Sequence, residues 1–145
     1  MNWKEEAAEK LRKYDAMRTA TENIPQELQR LELSARAIRA SGAESPRVQT
    51  SRNRQEEQLL NNIVHRQELR WALENAKSWV KTTDHALSAL SPEDRLVLSR
   101  LYVYPEKGAL ERLCQDLGVE QSSIYRRRDR ALRNFTTALY GTIEN

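Results

Sequence analysis

Residues 113–135 read LCQDLGVEQSSIYRRRDRALRNF, and the interpretation of the whole chain starts from this stretch. Between Gln121 and Phe135 it contains five Arg and one Asp, a net charge of +4. The entire chain carries a formal net charge of only +3, so the remaining residues together sum to −1. The positive charge is therefore concentrated on one element, a distribution typical of helices that bind nucleic acid.

A short helix and a turn are predicted before this basic segment. Leu110, Leu113 and Leu117 recur at intervals of three and four residues, which predicts a helix with one apolar face that also carries Cys114. Gly118 follows, where helices commonly end in a left-handed residue. A final helix is predicted after the turn. Its buried face comprises Ile124, Ala131, Phe135 and either Ala138 or Leu139.

Another helix is predicted directly upstream of the turn. Ser91 is a good N-cap and Pro92 suits the first helical position. Glu93 and Asp94 then favour the positive end of the helix dipole. Pro105 ends this helix. Its buried side comprises Leu96, Val97, Leu98, Leu101 and Tyr102.

Two further helices and a loop are predicted in the N-terminal part of the chain. Strong helix formers from Trp3 to about Glu22 predict the first helix. Pro25 is expected to open the second, because proline fits the first helical turn. The second helix keeps heptad spacing at Leu28, Leu31, Ala35 and Ile38. Residues 41–53 collect Gly, Pro, Ser and Thr without periodicity, which predicts a flexible loop.

A long helix is predicted from Arg54 to Leu90. One seam alternates steps of four and three residues through Leu69, Leu73, Ala76, Val80, Thr83, Leu87 and Leu90. A second apolar set beside it comprises Leu60, Ile63, Val64, Trp71 and Trp79. These faces fit an antiparallel hairpin or three-helix bundle with the N-terminal helices, or alternatively a dimer. Both tryptophans are expected to pack against a neighbouring helix rather than form an exposed docking patch.

The sequence thus predicts an all-α protein with two parts. Residues 1–90 form a helical arm, a hairpin or bundle of long helices that contains the loop 41–53. Residues 91–145 form a helix-turn-helix domain.

Composition and motifs exclude several classes of protein. The N-terminus has no apolar region of a secretory signal, and no run approaches the ~18 apolar residues of a membrane span, so we expect a cytoplasmic protein with no membrane partner. His65 and His85 lack Cys or carboxylate companions at ligand spacing, so neither a metal nor another cofactor is expected. Gly-rich phosphate loops and nucleophile elbows are missing from the sequence, and no enzymatic activity is expected.

The residues around the turn resemble a known DNA-binding module. Residues 113–119, with Ile124 and residues 131–135, resemble the second half of region four of sigma factors, which reads the upstream promoter element. Residues 91–98 resemble the opening helix of the same module. The resemblance covers residues 91–140, about a third of the chain.

A helical arm joined to such a module resembles a particular group of phage proteins. Together with the run at residues 125–132, YRRRDRAL, it resembles the small phage-encoded regulators of the RinA and ArpU type. The resemblance implies a phage or prophage origin and a role in transcription of late or packaging genes.

The sequence departs from the sigma pattern at three places. Glu120 stands where Ser or Thr usually caps the second helix, so the cap is expected to fall to Ser122 or the helix to begin late. Arg127 or Arg128 takes a position that is apolar in sigma modules, and an arginine there must extend its charged end outward. Cys114 stands where Ala is usual and is expected to be buried as a small apolar residue.

The resemblance implies two different roles for the residues in and near the basic helix. The base-reading residues would be Gln121, Ser122 and Arg126, with Tyr125 beside them, because Gln and Arg can each make two hydrogen bonds to adenine and guanine. The remaining basic residues would bind phosphates and set the register of the protein on DNA. This group comprises Lys107, Arg112, Arg127, Arg128, Arg130 and Arg133.

Three functions remain open on the sequence alone. The leading hypothesis is a sequence-specific transcriptional regulator that binds double-stranded DNA, with the arm available for a homodimer or for contact with RNA polymerase. The second is a phage DNA-packaging subunit similar to a small terminase, which would form a ring. The third is a protein-interaction module whose basic helix binds an acidic partner.

Overall fold

The computed structural model describes residues 2–43 and 49–141, and in these ranges the chain is helical without β-strands, which confirms the expected all-α class. The helices are α1 (Trp3–Arg12), α2 (Tyr14–Ala43), α3 (Gln49–Ser88), α4 (Pro92–Leu98), α5 (Ala109–Leu117) and α6 (Gln121–Tyr140), and a π-helical turn (Ser99–Val103) directly follows α4. In the same ranges, no helix is both long and apolar enough to cross a membrane.

The chain divides into two compact units. Unit 1 comprises Met1–Arg18 and Ser78–Asn145, and unit 2 comprises Thr19–Lys77. This division differs from the boundary after residue 90 that the sequence predicts. The difference arises because α1 and the end of α3 share a core with α4 and α6, a contact between distant segments that local periodicity does not reveal.

The larger core of unit 1 is built around Phe135 of α6. Phe135 and Leu11 of α1 are both fully buried, and Leu98 is buried beside them, so three helices meet in one apolar cluster. The buried members of this cluster are Ala7, Leu11, Tyr14, Ala86, Leu90, Leu98, Val103, Ala131, Leu132 and Phe135. The C-terminal half of α6 is therefore fixed in position by the N-terminal helix as well as by its sequence neighbours.

A second core of unit 1 fixes α5 and the beginning of α6. Val97, Leu113 and Ile124 are fully buried and contact one another. Leu117 and Cys114 pack against them but are only half-buried, so Cys114 is less buried than the sequence predicts. The two ends of α6 are thus held by two separate apolar clusters.

The starts of α1 and α4 follow from their capping residues. The Asn2 side chain accepts a hydrogen bond of 2.9 Å from the Lys4 backbone N–H. The Ser91 hydroxyl accepts one of 3.2 Å from the Asp94 backbone N–H, and Pro92 occupies the first helical turn as predicted. Both caps satisfy N–H groups that have no partner within the helix.

The expected helix start at Pro25 is wrong, because α2 runs without interruption from Tyr14 to Ala43 and contains this proline. Proline removes one backbone hydrogen bond but has a helical φ itself, and burial of Leu31 and Ala35 on the same helix opposes the loss. The predicted loop 41–53 is also too long. Helix α2 extends to Ala43 and α3 begins at Gln49, while residues 44–48 lie outside the described part of the chain.

Within unit 2, α2 and α3 run antiparallel. The Gln55 side-chain amide donates to the Ile38 carbonyl at 2.6 Å, and the Asn62 amide donates to the Leu31 carbonyl at 2.9 Å. As the residue number increases along α3, the residue number of its partner on α2 decreases, which defines the antiparallel orientation. Asn62 is only 7% exposed, and its oxygen accepts a hydrogen bond of 2.8 Å from Arg66 Nε. Both ends of this buried amide are bonded, as buried polar groups require.

The two tryptophans of α3 have different surroundings. In unit 1, Trp79 donates from Nε1 to the Lys10 carbonyl at 3.1 Å, and the Lys10 ammonium lies 4.8 Å from the ring centroid, so its expected packing is confirmed. In unit 2, Trp71 is 82% exposed, so the expectation that it packs against a helix is wrong. The reason is that α3 buries the side carrying Asn62 and Ala76, whereas Trp71 lies on the opposite side.

Candidate functional site

A tight turn joins α5 to α6. Gly118 ends α5 with φ +65° and ψ +37°, the left-handed conformation predicted from the sequence. The Val119 N–H then donates to the Cys114 carbonyl at 3.1 Å, which satisfies one of the last carbonyls of α5. Because Leu113 and Ile124 on either side of the turn are fully buried, the start of α6 has a defined position.

Helix α6 begins at Gln121 without a side-chain cap. Glu120 is the N-cap residue in extended conformation, and its carbonyl accepts from the Ser123 and Ile124 N–H groups at 3.0 and 3.2 Å. The expectation that the cap falls to Ser122 or that the helix begins late is therefore wrong. Backbone geometry alone starts the helix, and its first N–H groups are not bonded by the Glu120 side chain.

One face of α6 is exposed and basic. Ser122, Arg126, Arg130 and Arg133 recur at intervals of four, four and three residues and are all exposed. These intervals place the four side chains on one side of the helix. The opposite side carries Ile124, Ala131 and Phe135, which are fully buried. The packing of α6 against the cores therefore leaves its basic side toward solvent.

Two further predicted base-reading residues form a pair next to this face. The Gln121 side-chain amide donates to the Tyr125 hydroxyl at 3.0 Å, and Tyr125 is 41% exposed. The Arg128 guanidinium lies 5.1 Å from the Tyr125 ring centroid and donates to the Asp129 carboxylate at 3.1 and 3.2 Å. These contacts fix the orientation of Tyr125 and Arg128 within the first turns of the helix.

Arg127 and Arg128 are half-buried, and the charged end of each is paired with a carboxylate. The Arg127 guanidinium is paired with the Glu93 carboxylate of α4, and its Nε donates to the Ser123 hydroxyl at 3.2 Å. Arg130 also contacts Glu93, through Nη2 at 3.5 Å from Oε2. Both guanidinium groups thus meet one carboxylate.

These side chains surround an open cleft of about 570 Å³. It is lined by Glu93, Ser123, Arg126, Arg127 and Arg130. Three guanidinium groups face a single carboxylate there, so the cleft keeps an excess of positive charge. Arg126 has no ion-pair or hydrogen-bond partner among the residues that the structure describes.

The predicted phosphate-binding residues outside α6 lie elsewhere. Arg112 pairs with Glu106 at 2.9 Å and lines a separate cleft of about 270 Å³ with Arg100 and Tyr104. Lys107 is exposed in the connection before α5. The structure therefore brings together Arg126, Arg127 and Arg130 but adds neither Lys107 nor Arg112 to their cleft.

The N-terminal helix contributes contacts that the sequence did not predict. Lys4 Nζ lies 3.4 Å from the Asp129 carboxylate, and the Arg133 guanidinium lies 5.4 Å from the Trp3 ring centroid. Partial burial acts to raise the pKa of Asp129, but the hydrogen bond from Arg128 and the charges of Arg128 and Lys4 outweigh it and lower the pKa. Asp129 therefore remains ionised and belongs to the electrostatics of the basic helix.

Glu93 and Ser123 are the functional candidates that sequence reasoning missed. The sequence predicts that Glu93 is an acidic residue that stabilises the start of α4, and Glu93 does lie in the first turn of that helix. Its pairing with Arg127 and Arg130 depends on how α4 packs against α6. Only the contact between Ser123 and Arg127 could have been predicted from the sequence, because residues four apart on one helix can form a hydrogen bond.

The described ranges contain no group of three or more His, Cys, Asp or Glu side chains arranged to hold a metal ion. Comparison of the chain with protein-family models, with curated proteins and with solved structures found no match.

Proposed function

We propose that the chain is a sequence-specific DNA-binding transcriptional regulator, in which α5 and α6 form a helix-turn-helix and α6 enters the major groove. The observation that carries this proposal is the exposed face of Ser122, Arg126, Arg130 and Arg133 on a helix whose other side is buried. A major groove about 12 Å wide admits one helix, and a rigid basic face can reach both base edges and phosphates.

The charge balance supports nucleic acid over other ligands. The chain is close to neutral outside residues 121–135, so its positive field originates mainly from α6. Phosphate contacts require such a local concentration rather than a high overall charge. The resemblance to region four of sigma factors and to small phage regulators supports a role in transcription of phage or prophage genes.

Roles can be assigned by position and by existing contacts. Ser122 and Arg126 lie in the first two turns of α6 and are exposed, which suits base reading, and the Gln121–Tyr125 pair flanks them. The exposed Arg130 and Arg133, farther along the same face, suit phosphate contacts.

The other predicted phosphate-binding residues divide into two groups. Arg127 and Arg128 already pair with carboxylates of the same unit, so they position the helix more than they add affinity. Lys107 and Arg112 are exposed near the start of α5 and would bind phosphates, Arg112 by exchanging its exposed ion pair with Glu106 for a phosphate.

Selection of bound sequences from random duplex DNA tests this proposal. The wild type should enrich one short site. Arg126→Ala should bind the selected site about tenfold or more weakly, since a bidentate base contact is worth about 1–3 kcal/mol, and should discriminate less at one base position. Arg36→Ala is the matched control, because this exposed arginine of α2 has the same charge and lies in unit 2. No enrichment at low salt, or equal losses in both variants, would reject the proposal in favour of a protein-interaction module.

We also propose that unit 2 joins two copies of the chain. Leu60, Val64 and Trp71, with Ile63 beside them, form an exposed apolar stripe along α3, on the side away from the buried Asn62. These side chains present on the order of 400 Å² of apolar surface, comparable to the largest patch of a typical monomer. Two such stripes amount to about 800 Å², so a specific interface of about 1,200 Å² would also have to include polar surface around them. RNA polymerase is an alternative partner for the helical arm if the regulator is an activator.

Sedimentation equilibrium separates this proposal from DNA packaging. A dimer that weakens in Trp71→Ser supports a regulator joined through α3. A ring of eight or more subunits would favour the packaging function instead.

A further inference from the structure

The carboxylate of Glu93 bridges two arginines of α6. One of its oxygens pairs with Arg127, and the other lies 3.5 Å from Arg130 Nη2. A carboxylate and a phosphate both offer two oxygens to guanidinium groups in similar geometry. Glu93 therefore makes with Arg130 the kind of contact that a phosphate could also make.

The two pairings of Glu93 are unequal. The Arg127 side chain is 29% exposed and is also held by its hydrogen bond to Ser123. The Arg130 side chain is 58% exposed, and its longer contact is with Glu93 alone. An incoming anion can thus displace Glu93 from Arg130 more easily than from Arg127.

The third arginine of the cleft is available to an anion. Arg126 lines the same space as Arg130, is exposed and has no ion-pair partner in the described ranges. Because the positive charge of the cleft exceeds that of its one carboxylate, the site attracts an anion even while Glu93 is in place.

We propose that this cleft binds one phosphate of the DNA backbone through Arg126 and Arg130, and that Glu93 competes with the phosphate for Arg130 and so limits affinity. This inference rests on the proposed DNA-binding function, and it gives Arg126 a phosphate contact in addition to any base contact. Arg127, which also donates to the Ser123 hydroxyl, holds Glu93 at the edge of the site. Such competition weakens binding to all sequences equally and leaves discrimination to base contacts.

The test is the variant Glu93→Gln, which removes the charge and keeps a similar shape. It should bind a duplex of random sequence about twofold to fivefold more tightly than the wild type at low salt, the range expected from releasing a partly exposed ion pair. Glu111→Gln is the matched control, because Glu111 is an exposed acid of α5 in the same unit and lies outside this cleft. It should change the affinity by less than half as much.

A second variant isolates Arg130 as the residue for which Glu93 and phosphate compete. In the Arg130→Ala background, Glu93→Gln should no longer tighten binding beyond the effect of Glu111→Gln. Thermal unfolding of each variant checks that the fold is intact, and Glu93→Gln should unfold at or slightly below the wild-type temperature because α4 loses a favourable charge.

Three outcomes separate this inference from the proposed function. If Glu93→Gln binds duplex DNA with unchanged or weaker affinity while the wild type binds it, Glu93 merely positions the arginines and the inference is wrong. If Glu93→Gln tightens binding equally in the Arg130→Ala background, competition for Arg130 is wrong. If the wild type binds no duplex, the proposed function is wrong, and a titration with inorganic phosphate followed by NMR then decides whether Glu93→Gln still strengthens an anion site.

Discussion

Units 1 and 2 distribute their apolar residues in opposite ways. Unit 1 fully buries several large apolar side chains, including Phe135, Leu11 and Ile124, and its exposed large apolar residues within the described ranges are the tyrosines Tyr104, Tyr125 and Tyr140. In unit 2, the buried apolar residues within the described ranges are Leu31, Ala35 and Ala76. The exposed large apolar residues of unit 2 are Leu33, Leu60, Ile63, Val64 and Trp71. Unit 1 thus has a core that holds a basic helix in place, whereas unit 2 leaves large aliphatic and tryptophan side chains exposed.

This contrast separates two requirements of a DNA-binding protein. A base-reading helix must be fixed to within a fraction of an ångström, and only dense packing on several sides does that. A unit that associates with another protein needs exposed apolar surface and can have a small hydrophobic core. The proposed function would use unit 1 for DNA and unit 2 for association.

The largest effect is expected in the core of unit 1. Phe135→Ala should lower the free energy of unfolding by about 3–5 kcal/mol, because a fully buried ring is replaced by a cavity. Chemical denaturation followed by circular dichroism measures this loss. A loss below about 1 kcal/mol would mean that α6 is not held by this core.

A smaller loss is expected in the interior of unit 2. Asn62→Ala removes the hydrogen bond to the Leu31 carbonyl and the acceptor of Arg66, and should cost about 1–3 kcal/mol. Hydrogen exchange of α2 amides should report the loss locally. Unchanged exchange there would show that the antiparallel pairing does not depend on this buried amide.

Tyr14 provides a test that depends on pH. Its hydroxyl donates to the Asp84 carboxylate at 2.5 Å, and burial together with this carboxylate raises the pKa of Tyr14 from 10.0 to about 12. The neutral hydroxyl is therefore favoured in the folded state. Its contribution is present below pH 10 and is lost as the pH rises toward 12.

Tyr14→Phe should accordingly cost about 1 kcal/mol at neutral pH, the net value of one hydrogen bond. The variant should also lose part of the decline in stability between pH 10 and 12. Denaturation midpoints across this pH range measure both effects. An identical decline in the variant would assign the alkaline loss to other groups.

The smallest effect on stability is expected at Trp71. Because this side chain is 82% exposed, Trp71→Ser should change the free energy of unfolding by less than about 0.5 kcal/mol. Self-association should nevertheless weaken, and more so than in Leu33→Ser on α2. If both variants and the wild type are monomers at every concentration, the proposed role of the α3 stripe is wrong.

Local sequence signals predicted most of the fold of unit 1. The cap at Ser91, the left-handed Gly118 and the buried face of α6 follow from short-range rules, and all are present. The prediction of a helix start at Pro25 is wrong because this proline removes only one backbone hydrogen bond, and α2 is helical on both sides of it. The partnership of α1 with α6 depends on contacts across more than a hundred residues, which no local pattern contains.

The site was predictable in its composition but not in its pairings. Helical spacing places Ser122, Arg126, Arg130 and Arg133 on one face, and burial of the other side leaves that face exposed. The sequence could not show that Glu93 meets Arg127 and Arg130, because that contact joins separate helices. It also could not distinguish arginines with internal partners from those available to DNA.

The central claim is that the exposed face of α6 binds the DNA backbone. The salt dependence of DNA binding tests this claim most directly. With Arg127 and Arg128 paired internally, Arg130 and Arg133 of α6 and Lys107 and Arg112 near the start of α5 remain for phosphates. Each phosphate contact contributes about −0.9 to the slope of log affinity against log salt. For the selected duplex we therefore predict a slope near −4 for each bound protomer, falling by about one unit in Arg133→Ala. A flat slope, or a slope that Arg133→Ala leaves unchanged, would contradict the account.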